Sequence, residues 1–429
     1  MSPMAITTEK PTQRETIAVP ARFHFVDGLR ALCALLVVEH HIFYEIFESK
    51  QWFAVDPSLQ FLTGWLRHGY IAVAGFIVLS GFCLMLPVVA NTSTILAGGI
   101  KGFLRRRARR ILPPYYAALG LSLALLLLVP GFSQPSGFHW DWSLPAFSKN
   151  AIISHLFLVH NLNPAWIAKI DHPLWSIAIE WQIYFVFAIV LIPIVRKFGI
   201  VASVVAACVL GAVPGVVFHT LDWTRPWYLG LFSLGMLAAT VASSRHPIAA
   251  FARKNVPWSA LTVLFAVIEI YCASAGTWQT CNEIVTALAL MCCLVWGSSF
   301  DQMRATTIGK LAMAALTAPM LVGVGIFSYS VYLIHAPLIA LTRMGLESLS
   351  FTPTMIYGLL IVLGTIVSVA GGYAFFLAIE CRFLSKGKPA TEHRPSGRRI
   401  RPLRHSAAAR ARLNLVHLDG GPGSSQDTY

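Results

Sequence analysis

The sequence predicts an all-α polytopic membrane protein of about ten transmembrane helices, with both termini cytoplasmic. Three observations carry that prediction. Charged residues are only 12% of the 429, half the roughly 25% of a soluble domain. Hydrophobic residues reach 56%, with a mean hydropathy of +0.64. Apolar runs near twenty residues long recur along the chain, the length that crosses a hydrocarbon core as a helix. The runs are continuous rather than alternating, which excludes a transmembrane β-barrel.

In order, the expected spans are 28–47, 70–89, 112–130, 174–194, 199–218, 226–242, 257–275, 282–299, 320–342 and 354–378. The apolar piece 151-AIISHLFLVH-160 is too short to cross and reads as a re-entrant or interfacial segment. Ten crossings leave both ends on one side, and the basic residues agree. Of 33 Lys and Arg, 27 fall on the side of the termini and 6 on the other, and cytoplasmic loops hold the excess. The organisation is a polar cytoplasmic arm (1–22) without a cleavage signal, a membrane domain (23–382), and a basic tail (383–429) expected to be disordered. The tail's arginines suit anionic lipid headgroups better than nucleic acid. Eight cysteines lie scattered without a C-x-x-C, so neither a metal site nor a disulfide framework is expected. Cys272 and Cys281 flank one short loop and read as unrelated.

The first span breaks the apolar rule. Within 27-DGLRALCALLVVEHHIFYEIF-47 lie Arg30, Glu39, His40, His41 and Glu45, and ionisable groups at such depth mark function by default. Arg30 and His41 are eleven residues apart, three turns plus about 20°, so they share a helix face roughly 16 Å apart along the axis. Glu45, one turn beyond His41, is placed to orient the imidazole. A neutral imidazole is a suitable general base for a hydroxyl; its bland counterpart is an interhelical hydrogen bond. His40 and Glu39 point elsewhere around the helix.

Ahead of the third span, 101-KGFLRRRARRILPPYY-116 packs Arg105, Arg106, Arg107, Arg109 and Arg110 before two prolines and Tyr115. Positive-inside topology explains charge there, while arginine forks also grip phosphate. In the fourth span, Glu180 lies within 171-DHPLWSIAIEWQIYF-185 and needs a partner, with His41, an arginine or Tyr184 as candidates. The ninth span holds Ser328, Tyr329, Tyr332 and His335, where a structural hydrogen bond suits the histidine. No G-x-S-x-G, H-E-x-x-H or phosphate-binding glycine loop occurs, which removes serine hydrolases and zinc proteases. From the residues, two readings stay open: a transferase using a phosphorylated cofactor, and a proton-coupled exporter of a small or lipid-linked metabolite. The absence of two related halves weighs against the exporter.

These pieces, in this order, resemble the acyltransferase-3 family of integral membrane O-acyltransferases. The resemblance runs through D-G-L-R-A at 27–31 with a histidine eleven residues after the arginine, which selects His41. It continues through F-I-V-L-S-G-F at 76–82, R-R-x-x-R-I-L-P-P-Y-Y around 106–116, L-W-S-I-A-I-E at 174–180 and S-Y-S-V-Y-L-I-H at 328–335. It implies transfer of an acyl group, typically acetyl, from acyl-CoA to a hydroxyl of a sugar, lipid-linked glycan or small metabolite. It also implies a bacterial inner membrane. On that reading His41 is the base, Glu45 or Glu180 steadies its imidazolium, and Arg30, Arg106, Arg107, Arg109, Arg110 and Tyr115 hold the acyl-CoA. The acyl-CoA is a co-substrate, with no resident cofactor or metal.

Overall fold

The computed structural model describes residues 23–90, 96–218, 221–299 and 306–384. The arm expected at 1–22 and the tail from 385 onward lie outside the described residues. Helices account for nearly all regular structure, and no strand occurs among the described residues. Helices are one of the two folds that satisfy their backbone groups inside lipid. The chain runs through α1 (His24–Phe47), α2 (Pro57–Thr63), α3 (Ile71–Ala90), α4 (Gly99–Leu128), α5 (Lys149–Leu156), α6 (Trp175–Val186), α7 (Ile192–Phe218) and α8 (Tyr228–Ser243). It continues through α9 (Pro247–Asn255), α10 (Trp258–Ser274), α11 (Gln279–Ser298), α12 (Thr307–Leu316), α13 (Pro319–Ile326), α14 (Ser328–Glu347), α15 (Pro353–Leu359) and α16 (Thr365–Ala378).

Among the described residues, six helical stretches are long and apolar enough to cross a membrane, or eight if each of two sharply bent pairs counts as one span. One stretch, His172–Val217, is 46 residues long and contains two of the expected spans, divided at Gly199 where φ is 86°. The expected span 320–342 is instead two helices, because the backbone leaves the helix at Phe327 between α13 and α14. Helices α1 and α14 have the length to cross, at 24 and 20 residues, but polar and ionisable residues set them apart from the apolar spans. The piece at 151–160 is an eight-residue helix followed by a tight turn, too short to cross. Cys272 and Cys281 are both free thiols.

Helices α3 and α8 cross in close backbone contact. A Cβ on Gly81 would meet the Phe232 carbonyl oxygen at 2.0 Å, and one on Gly235 would meet that of Val78 at 2.0 Å. Each backbone therefore occupies the space a side chain would take on the other, the means by which small residues join helices in lipid. This crossing gives the F-I-V-L-S-G-F segment its requirement for glycine. Against this pair, α1 packs along α3, α13 and α14, so its ionisable face lies inside the bundle rather than toward lipid.

Candidate active site

His41 sits among four other imidazoles, those of His40, His139, His172 and His335. Its Nδ1 lies 3.1 Å from Nε2 of His172 and 3.4 Å from Nε2 of His139. The His335 ring, from α14, lies 4.9 Å away centroid to centroid. His139 opens a 3-10 turn, His139–Ser143, whose approach is shaped by Asp141 accepting from the backbone N–H groups of Ser136 and Gly137. His172 opens the 3-10 turn His172–Leu174 that leads into α6. The two turns are tied together: Ser143 Oγ accepts the His172 backbone N–H at 3.2 Å and lies 3.2 Å from its Nδ1. His335 is held by Nδ1 donating to the Tyr332 carbonyl at 2.7 Å, while its buried Nε2 has no partner.

The acid of this cluster is Glu48, just past the end of α1. Its Oε2 lies 2.8 Å from Nδ1 of His139, so His139 carries its proton there and presents Nε2 toward His41. A carboxylate, a histidine and a second histidine thus stand in line, the arrangement that fixes the orientation and tautomer of a catalytic base. Among the described residues Nε2 of His41 makes no hydrogen bond, which leaves it for a reacting group. Next to the cluster, Asp171 is fully buried and accepts from Ser122 at 2.7 Å. Burial pushes its carboxyl from the ordinary 3.8 up to about 7 despite that hydrogen bond.

The cluster lines a cavity of about 500 Å³. Beyond the histidines its walls include Tyr70, Trp142, Trp175, Trp223, Trp227 and Tyr332. Arg225 closes one wall, ion-paired with the buried Glu283 and lying 4.9 Å over the Trp175 ring. Glu283 also accepts from Trp227 Nε1 at 2.7 Å. The charges at this wall are therefore matched, and broad aromatic faces are left toward the cavity.

At the other end of α1 lies a second polar layer. Arg30 donates to Cys83 Sγ at 3.4 Å and pairs with Asp27 at 3.5 Å. Glu180 accepts from Ser80 at 2.9 Å and from Tyr184 at 2.5 Å, within electrostatic reach of Arg30. Arg110 lies near Arg30, Arg107 and Glu380, and Glu380 accepts from Ser330 at 2.6 Å.

The expected residues therefore divide. Neither Glu180 nor Glu45 bonds His41 among the described residues; the carboxylate linked to it is Glu48, through His139. Glu180 belongs to the Arg30 layer, eight residues and roughly 12 Å of helix beyond His172. Glu45 is buried near His139 and Arg343, with Oε2 unpartnered. Arg107 and Arg110 join Arg30, and Arg109 is exposed. Arg106 is exposed and bonds the Ala97 carbonyl at 2.6 Å. Tyr115 is fully buried, its hydroxyl donating to the His155 carbonyl at 2.9 Å, so it braces the helix rather than facing the arginines. His40 bonds the Leu66 carbonyl through Nδ1 while its ring lies 5.4 Å from that of His41, centroid to centroid, and Glu39 accepts from Thr365. His139, His172 and Glu48 were not marked by the sequence reading. They lie in turns or at a helix end, where no periodicity singles out a position. The one usable signal was D-H-P placed directly before a span.

Comparison with known proteins places the chain in a family. Residues 23–375 match the acyltransferase-3 family model, described as an acyltransferase domain. The chain is 25% identical over 336 residues to the putative membrane-bound transacylase BcsY of Komagataeibacter xylinus, covering 73% of this chain and 72% of that one. It is 25% identical over 336 residues to the acyltransferase MdmB of Streptomyces mycarofaciens, covering 73% and 78%. It is 24% identical over 352 residues to the putative peptidoglycan O-acetyltransferase YrhL of Bacillus subtilis, covering 74% of this chain and 48% of that one. No solved structure matches the chain. The helical bundle, the ordered motifs and a match over most of the length agree: the chain belongs to the acyltransferase-3 family of membrane proteins.

Proposed function

We propose that the protein transfers an acyl group, acetyl in the simplest case, from acyl-CoA to a hydroxyl of a sugar, a lipid-linked glycan or a small metabolite. The observation that carries this reading is the pairing of two polar layers on one helix face: a base held by a histidine–carboxylate pair, and an arginine layer roughly 16 Å away along α1. The arginines Arg30, Arg107 and Arg110, with the exposed Arg106 and Arg109 nearby, suit the phosphates of a CoA nucleotide. That separation suits an extended pantetheine arm reaching from there to His41. The aromatic cavity suits the acceptor, since ring faces pack against the C–H faces of a sugar while the polar groups orient its hydroxyls. On this reading the arginine layer faces the cytoplasm of a bacterial inner membrane, as the distribution of basic residues implies.

The chemistry balances with the groups present. The acceptor hydroxyl gives its proton to Nε2 of His41 as its oxygen attacks the thioester carbonyl carbon. The imidazolium is steadied through Nδ1 by His172 and by the His139–Glu48 pair. The tetrahedral intermediate collapses with cleavage of the C–S bond, and His41 returns the proton to the departing thiolate, leaving an ester and free CoA. Enclosure within the bundle keeps water from competing for the thioester. The donor half is tested by thermal stabilisation of the purified protein with CoA. The expected result is a rise in melting temperature that shrinks when Arg30 or Arg107 is replaced by Gln. An exporter with no nucleotide site gives no CoA-dependent rise, and that result rejects the acyl-CoA donor.

A further inference from the structure

We propose that His41, His139 and His172 together form a binding site for a Zn2+-class transition-metal dication, and that its occupancy silences the base. One ring nitrogen from each histidine lies within 4.8 Å of the other two. Two of the separations, 3.1 and 3.4 Å, are close to the about 3.3–3.4 Å edge of a tetrahedron with zinc–nitrogen bonds of 2.0–2.1 Å. The third edge is within 4.8 Å, and a turn of the His139 or His172 ring would have to close it to that length on binding. Imidazole nitrogens are the ligands that zinc, copper and nickel share.

Counting protons supports a cation at this point. With the His139 proton held at Nδ1 by Glu48, its Nε2 presents a lone pair toward Nδ1 of His41. The His41 nitrogen also faces Nε2 of His172, and a single proton on it serves one neighbour well and the other poorly. A dication at the centre satisfies all three lone pairs at once. The outer supports of a metal centre are present as well. Glu48 backs His139 and Ser143 backs His172, and such partners fix the tautomer of a ligating imidazole. All three rings line the cavity, so a fourth coordination position opens to it.

The silencing follows from the tautomer and rests on the reading of His41 as the base. A metal on Nδ1 of a neutral imidazole places the ring proton on Nε2. That nitrogen then donates a hydrogen bond and accepts no hydroxyl proton.

The test uses the full-length protein in detergent, stripped with EDTA and exchanged into metal-free buffer. Co2+ titration should give one equivalent per chain, with the intense visible bands of a four-coordinate site that Zn2+ abolishes. Replacing His139→Gln or His172→Gln should weaken binding at least tenfold. Should either variant fail to elute as a folded species, X-ray absorption of the zinc-loaded native protein counts the imidazole ligands directly, with three expected. Zinc should also inhibit acyl transfer at the occupancy seen in the titration, and EDTA should restore it. No stoichiometric binding, or a zinc shell with fewer than two imidazoles, overturns the site. Full activity at saturating zinc overturns the silencing. If no acyl transfer is detected at any metal level, the transferase reading fails, while the spectra still judge the site by themselves.

Discussion

Glu48 shows what a single carboxylate does here. It makes no hydrogen bond to His41, yet its 2.8 Å contact decides which nitrogen of His139 faces His41. Glu48→Gln keeps the shape and removes the charge, so the imidazolium formed on His41 loses its support. Acyl transfer should fall about tenfold to hundredfold, part of the roughly 10²–10⁴ that a positioned base supplies, with the protein still folded and its CoA stabilisation intact. Membrane vesicles assayed at matched protein abundance would read this. Equal rates in the variant and the native protein would remove Glu48 from the account. Asp171 supports a different kind of prediction. Its carboxyl is raised by burial from 3.8 to about 7, so the folded state holds a proton that the unfolded chain releases. Stability contributed by that proton is fully present below about pH 4, falls as pH rises toward 7 and is level above, by up to about 1.4 kcal/mol per pH unit. Asp171→Asn should flatten that part of the profile of melting temperature against pH, while an unchanged slope would place the titration elsewhere. At this scale helical spacing relates His41 to Arg30 on one face of α1, while the choice of His41 over His40 came from the family resemblance. The sequence did not reveal His139 or His172, because both are delivered by irregular turns whose meeting point depends on the whole bundle.

At the scale of elements, the α3–α8 crossing depends on Gly81 and Gly235. Gly235→Leu would set side-chain atoms where the Val78 carbonyl now lies, and overpacking of this kind costs about 1–3 kcal/mol or more. Since α3 also carries Ser80, the partner of Glu180, the change should lower the yield of folded protein and loosen the Arg30 layer. Size-exclusion profiles and melting temperature measure this; a variant as stable as the native chain would show that the crossing has slack. Span boundaries were only partly legible. The run 320–342 is apolar enough to read as one helix, and nothing in its composition marks Phe327 as the break between α13 and α14. The break between the runs 174–194 and 199–218, by contrast, was expected, and it falls at Gly199, whose positive φ a glycine adopts without strain.

At the scale of the whole molecule, the bundle sets two chemistries at opposite ends of one helix. The arginine layer suits a polyanion and the histidine cluster suits proton transfer, with an aromatic cavity beside the second. The all-helical membrane architecture could be read from composition, because lipid leaves a chain few alternatives. The grouping of Glu180 with Arg30 rather than with His41 could not, since both pairings satisfy the rule that a buried carboxylate needs a partner. The central claim is that His41 moves an acyl group onto a hydroxyl. It is tested most directly by comparative mass spectrometry of glycans, lipids and secreted metabolites from cells with the native protein and with His41→Ala, at abundance matched by immunoblot. The account predicts a species heavier by one acyl group that is present with the native protein and absent with the variant. Identical profiles, accompanied by loss of transport of a solute in the variant, would contradict it.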